Sequence, residues 1–101
     1  MADRLELHQE FMDILGTEYA YYQPPESVKM KYPAIRYALK RLENTHANNQ
    51  VYRQETAYDV IVIDEDPESE VAKKVSLMSM CTFDRFYTAD NLNHFAFTLY
   101  H

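Results

Sequence analysis

CTFDRFYTADNLNHFAFTLY, residues 81–100, is the stretch whose reading decides the fold. Phe83, Arg85 and Tyr87 alternate with Asp84 and Phe86; Phe95, Phe97 and Leu99 alternate with Ala96, Thr98 and Tyr100. A period of two on either side of the polar run Thr88-Ala89-Asp90-Asn91 is the pattern of an antiparallel hairpin, with strands expected at about 82–88 and 93–100. Bulky side chains fall on both faces, so each face needs cover: a core on one side and a neighbouring molecule on the other. Nothing in the stretch suggests bond-making chemistry. It points to assembly.

Outward from the hairpin, the remaining elements follow from periodicity. Leu5, Leu7, His8, Phe11, Met12, Ile14 and Leu15 recur at helical spacing, which predicts a helix over 3–15 with Asp3 as N-cap and Gly16 as a left-handed terminator. His8 falls in the apolar stripe, which suits packing better than metal ligation. Residues 19–22 suit a short strand closed by Pro24-Pro25. Residues 32–41 alternate, with Pro33, Ile35, Tyr37 and Leu39 on one side. Residues 51–64 form the longest expected strand, polar at its start and apolar at its end. The expected hairpin of these two strands protrudes from the core near Tyr52. Between them, Leu42–Gln50 is amide-rich without period and is expected to be an exposed loop. Asp66 followed by Pro67 suits a helix start, giving an expected helix over 67–79. The sum is a single α+β domain over 1–101: a mostly antiparallel sheet of four to five strands with two helices, in the order α-β-β-β-α-β-β.

Composition narrows function. A chain of 101 residues holds one core, burying roughly 60–70% of the unfolded surface. Its 16 acidic against 10 basic residues give −6, the wrong sign for an extended nucleic-acid footprint, although a locally basic face is compatible with it. The lone cysteine, Cys81, permits no internal disulfide and fits a reducing compartment. Residues 1–6 lack the apolar run of a signal peptide, and no window resembles a membrane span. With Gly16 the only glycine, phosphate-cradling loops and nucleophile elbows are excluded.

Candidate sites remain. Asp64, Glu65, Asp66, Glu68 and Glu70 could hold a hard cation, but they lack calcium-loop spacing, and helix capping accounts for them more simply. Cys81, His94 and Asp90 have the residue types of a nucleophile, base and orienter without a recognised spacing. Asp84 and Arg85, with Arg36 and Arg53, suit cross-strand ion pairs, or Arg85 could reach a carboxylate across a subunit contact. No catalytic, metal or cofactor residue is assigned. The expected contact residues are Phe83, Arg85, Phe86, Tyr87, Phe95, Phe97 and Tyr100, and the expected loop, facing either a lumen or a partner, carries Glu43, Asn44, His46, Asn48 and Asn49.

QPPESVKMKYPAIRYALKR, YDVIVIDEDPESEVAKKV and CTFDRFYTADNLNHFAFTLY, taken in that order, resemble a family of small proteins from tailed bacteriophages and prophages, the tail terminator or tail-completion proteins of the head–tail joining region. The resemblance spans about Leu5 to Tyr100. It implies a virion structural protein of the tail or neck, assembled in the bacterial cytoplasm, that forms a ring, typically hexameric. Such a ring caps the tail tube, meets the major tail tube protein and the head-completion or connector protein, and lets DNA pass without specific binding or membrane contact. The resemblance brings no cofactor and no catalytic residues. An acidic ring suits that path, because phosphates would adhere to a basic lumen. Two other classes fit the residues: a small metal-binding protein using the acidic cluster, and a regulatory protein acting through the aromatic hairpin.

Overall fold

Seven elements follow one another along the chain: α1 (Arg4–Leu15), β1 (Ala20–Tyr22), β2 (Ala34–Ala47), β3 (Gln50–Asp64), α2 (Glu70–Ser76), β4 (Cys81–Ala89) and β5 (Leu92–Tyr100). The computed structural model describes residues 4–24, 29–47 and 50–101, with side chains described outside 43 and 45–54. The strands form one sheet in the order β1-β2-β3-β5-β4. Only β1–β2 is parallel; the other three pairings are antiparallel. The fold is therefore α+β with a mostly antiparallel five-stranded sheet, and both helices lie on the same face.

Side-chain alternation explains that arrangement. Ile35 and Tyr37 on β2, Tyr58, Val60 and Val62 on β3, and Phe97 and Leu99 on β5 point to the helices. They meet Leu7 and Phe11 of α1 and Ala72 and Val75 of α2 in one cluster. Tyr37 is its hub, with ring centroids 5.0 Å from Phe11, 4.9 Å from Tyr22 and 6.0 Å from Tyr58. Burying side chains of this size stabilises the fold by about 1.5–3 kcal/mol each. The Tyr37 hydroxyl stays satisfied at the rim, 2.6 Å from His8 Nδ1 and 3.3 Å from Arg4. Leu7 and Phe11 sit one turn apart, which fixes the buried face of α1. Gly16 ends that helix at φ +71, its N–H donating to the Met12 carbonyl at 2.8 Å. The expected cap at Asp3 lies outside the described residues.

Three expectations need correction. Leu42–Gln50 is not a loop: β2 continues to Ala47 and β3 begins at Gln50, with Glu43 opposite Glu55 and Asn44 opposite Gln54. Glu43, Asn44 and His46 are strand residues, whereas Asn48 and Asn49 lie outside the described residues. Main-chain pairing needs no apolar period. An amide-rich sequence can therefore pair as a strand without showing one. Because β5 accompanies β3 only from Ala57 to Asp64, β2 and β3 run on alone as a two-stranded arm, and the molecule measures 51 × 24 × 23 Å.

The second correction concerns α2, which spans seven residues instead of 67–79, with Ser69 as its N-cap and not Asp66. The Asp66 carboxylate accepts from the Glu68 N–H at 2.9 Å, closing a turn ahead of the helix, while the buried Ser69 hydroxyl accepts from the Ala72 N–H at 3.1 Å. The hydroxyl wins because Ala72 is buried and water cannot reach its amide. The third is the alternation of β4, which a bulge between Phe83 and Arg85 interrupts.

Candidate functional site

The β4–β5 hairpin turns at Asp90 and Asn91, whose φ values of 54 and 63 are those of a two-residue type I′ connection. Asp and Asn are the side-chain-bearing residues that tolerate this backbone best, so the sequence selects the tight turn. The register follows, with Thr88 opposite Asn93 and Phe86 opposite Phe95.

The bulge at Asp84 rearranges the contact residues. Asp84 is the extra residue, so Phe83 lies opposite Phe97 and Phe86 opposite Phe95, both on the helix face. The ring pairs confirm the placement, with centroids 5.5 Å apart for Phe83–Phe97 and 5.0 Å for Phe86–Phe95. Arg85 and Tyr87 fall on the opposite face, where the guanidinium sits 4.8 Å from the Tyr87 ring and that ring stacks on His94 at 4.8 Å. Arg85 thus meets an aromatic face. Arg36 is exposed, and the Arg53 side chain lies outside the described set. Tyr100, also on this face, bonds to Arg41. The expected contact set therefore divides: Phe83, Phe86 and Phe95 on one side, Arg85, Tyr87 and Tyr100 on the other. Phe97 is 2% exposed and belongs to the core, so its role is packing.

On the helix face, α2 is too short to reach the sheet edge. Phe83 and Phe86 stay 53% and 47% exposed along β4, and Leu77 and Met80, just before that strand, reach 85% and 59%. Between α2 and the hairpin runs a cleft of about 180 Å³, lined by Ala72, Lys73, Ser76, Phe83, Phe95 and Phe97, with Pro67, Glu68 and Ser69 at its end. Four large apolar side chains in ten residues, beside a mainly apolar cleft on an unpaired edge strand, make a shelf suited to protein contact. Leu77 and Met80 escape a sequence reading because they fall away from the Val71, Val75 and Met78 face of the expected helix, on the side of Lys73 and Lys74, where periodicity gives an apolar side chain no role.

The chemical candidates do not assemble. Asp64 accepts from the Asp66 N–H at 3.0 Å, and Glu70 pairs with Lys73 at 3.6 Å, so part of the acidic run serves local turns and a surface pair. Among the described residues no three His, Cys, Asp or Glu side chains converge as a metal site. Cys81 and Asp90 flank the nine-residue β4 at opposite ends, roughly 30 Å apart, so they share no site with His94. Burial, and then the nearby Asp84, push the Cys81 thiol up to about 11, which keeps it protonated at neutral pH.

The face away from the helices carries a polar chain. Lys40 pairs with Asp59 at 3.5 Å and donates to Thr98 Oγ1 at 3.1 Å, and Thr98 donates to Asp84 at 2.7 Å. Among the described residues no helix is long and apolar enough to cross a membrane. Set against protein-family models and curated proteins, the chain matches none.

Proposed function

We propose that this chain is a structural protein of a tailed-phage or prophage virion, a tail terminator whose copies form a ring that caps the tail tube and joins it to the head connector. The observation that carries the reading is the apolar set of Phe83 and Phe86 on the edge strand β4 and Leu77 and Met80 just before it, 47–85% exposed. Covering such side chains with another protein contributes roughly 1 kcal/mol each, so the shelf rewards association. The resemblance of residues 5–100 to tail-completion proteins says which association. The net charge of −6 agrees with a ring around passing DNA. The β2–β3 arm, which carries the residues first expected in a partner-facing loop, is the element that reaches toward the tube. An isolated two-stranded ribbon is marginal in water, so this arm too gains from a partner.

The test is size-exclusion chromatography with light scattering, on the purified chain alone and with its major tail tube protein. The reading predicts a ring-sized assembly in at least the second case, lost on Phe83→Ser with Phe86→Ser. A strict monomer in both cases would overturn it.

A further inference from the structure

In a regular strand, residues three apart point to opposite faces. Twice in this sheet a bulge cancels that rule, once toward each side. The bulge at Asp84 brings Phe83 and Phe86 together on the helix face of β4. In β2, Lys40 is the extra residue between Leu39, opposite Tyr58, and Arg41, opposite Ala57. Tyr58 points to the helices and Thr56 shares its face, so Leu42, opposite Thr56, returns to the face of Leu39. Leu39 and Leu42 lie where the arm leaves the body of the sheet, 44% and 55% exposed. Each bulge thus aims a second apolar side chain at the helix face and leaves it uncovered. The described positions beside the leucines on that face, Asn44 and Thr56, carry no charge, so covering this patch strands none.

The two patches cannot cover each other within one chain. Three strand spacings and the rise from Thr56 to Val62 along β3 separate Leu42 from Phe86 by roughly 25 Å. We infer that the shelf of Leu77, Met80, Phe83 and Phe86 is covered by Leu39 and Leu42 of a second copy. The inference rests on the ring-forming reading and names what the shelf meets when the ring closes. Area supports it. The six side chains together expose roughly 600 Å², the size of two aromatic and four aliphatic residues about half uncovered. A specific protein contact needs about 1,000 Å² in total, of which about three-fifths is apolar, so the two patches supply the apolar share of one. The contact is heterologous, one margin of the sheet against the other, and such contacts propagate head to tail until a ring closes. Shelf against shelf would instead stop at a pair and leave the leucines bare. The tip of the arm, beyond Leu42, stays available to the tube.

Cross-linking tests the contact. Leu42→Cys and Phe86→Cys are made singly in a Cys81→Ala background, with circular dichroism verifying that each folds. They are treated with a short bismaleimide, apart and mixed, with and without the tail tube protein of the proposed assembly. The mixture is expected to give a covalent dimer that neither variant gives alone, since Leu42 meets Phe86 only across the contact. In parallel, Leu39→Ser with Leu42→Ser is expected to weaken self-association at least about tenfold in sedimentation velocity. Dimers from Phe86→Cys alone would place shelf against shelf and overturn this contact. Full association of the leucine variant would overturn it while leaving the ring reading intact, and so would an unlinked mixture where the unaltered chain forms its ring. An unaltered chain that stays monomeric under both conditions would overturn the ring reading and this contact with it.

Discussion

Replacing Ser69 with alanine removes one hydroxyl and separates two accounts of how α2 begins. Ser69 is 2% exposed and its hydroxyl accepts from the Ala72 N–H, itself in a residue only 5% exposed. Losing an N-cap costs about 1 kcal/mol, and stranding a buried donor adds a comparable amount, so Ser69→Ala should cost about 2 kcal/mol. The helix has seven residues and little intrinsic stability to absorb the loss. For a domain of this size each kcal/mol moves Tm by about 4–8 °C, which gives a fall of roughly 8–16 °C. Asp66→Ala is the control: its carboxylate serves an exposed turn amide that water can also serve, and it should cost under about 0.5 kcal/mol. Thermal melts followed by far-ultraviolet circular dichroism read both. An Asp66→Ala loss equal to or larger than that of Ser69→Ala would refute the reasoning and return the helix start to Asp66.

Three further outcomes are expected. Phe97→Ala should destabilise the chain by about 3–5 kcal/mol, whereas Phe86→Ala, at a half-exposed site, should cost about 1 kcal/mol and weaken partner binding instead; chemical denaturation beside a binding assay separates the two. Burial and, secondarily, Arg4 hold the His8 ring below its ordinary 6.5. The folded state therefore disfavours the imidazolium, so the stability it contributes is complete above pH 6.5 and declines as pH falls through the lowered folded value. His8→Gln should flatten that part of a stability-against-pH curve. With its thiol raised from 9.0 to about 11, Cys81 should react with iodoacetamide at mildly alkaline pH roughly a hundredfold more slowly than after unfolding, by timed mass spectrometry.

The elements that sequence revealed are those whose burial writes a period into the chain. α1 shows its stripe because Leu7 and Phe11 enter the core, and the hairpin shows alternation because one face of β5 packs on β3 and α2. The arm leaves no such trace, since backbone pairing, which joins β2 to β3 there, requires no apolar period. The bulge at Asp84 was hidden for a related reason. A one-residue insertion in an edge strand changes which aromatics share a face without changing composition, so Phe83 and Phe86 read as opposite when they are neighbours. The start of α2 offered two capping residues three positions apart, and only burial, a tertiary property, favours Ser69. The proposed contact surface is legible in part: the aromatic hairpin is evident, the division of its residues between two faces is not.

Native mass spectrometry of the purified 12.0 kDa chain, alone and with the tail tube protein of the proposed assembly, tests the central claim most directly. The account predicts a closed oligomer, a hexamer by the family resemblance, in at least one of the two samples. A lone 12.0 kDa species in both would contradict it.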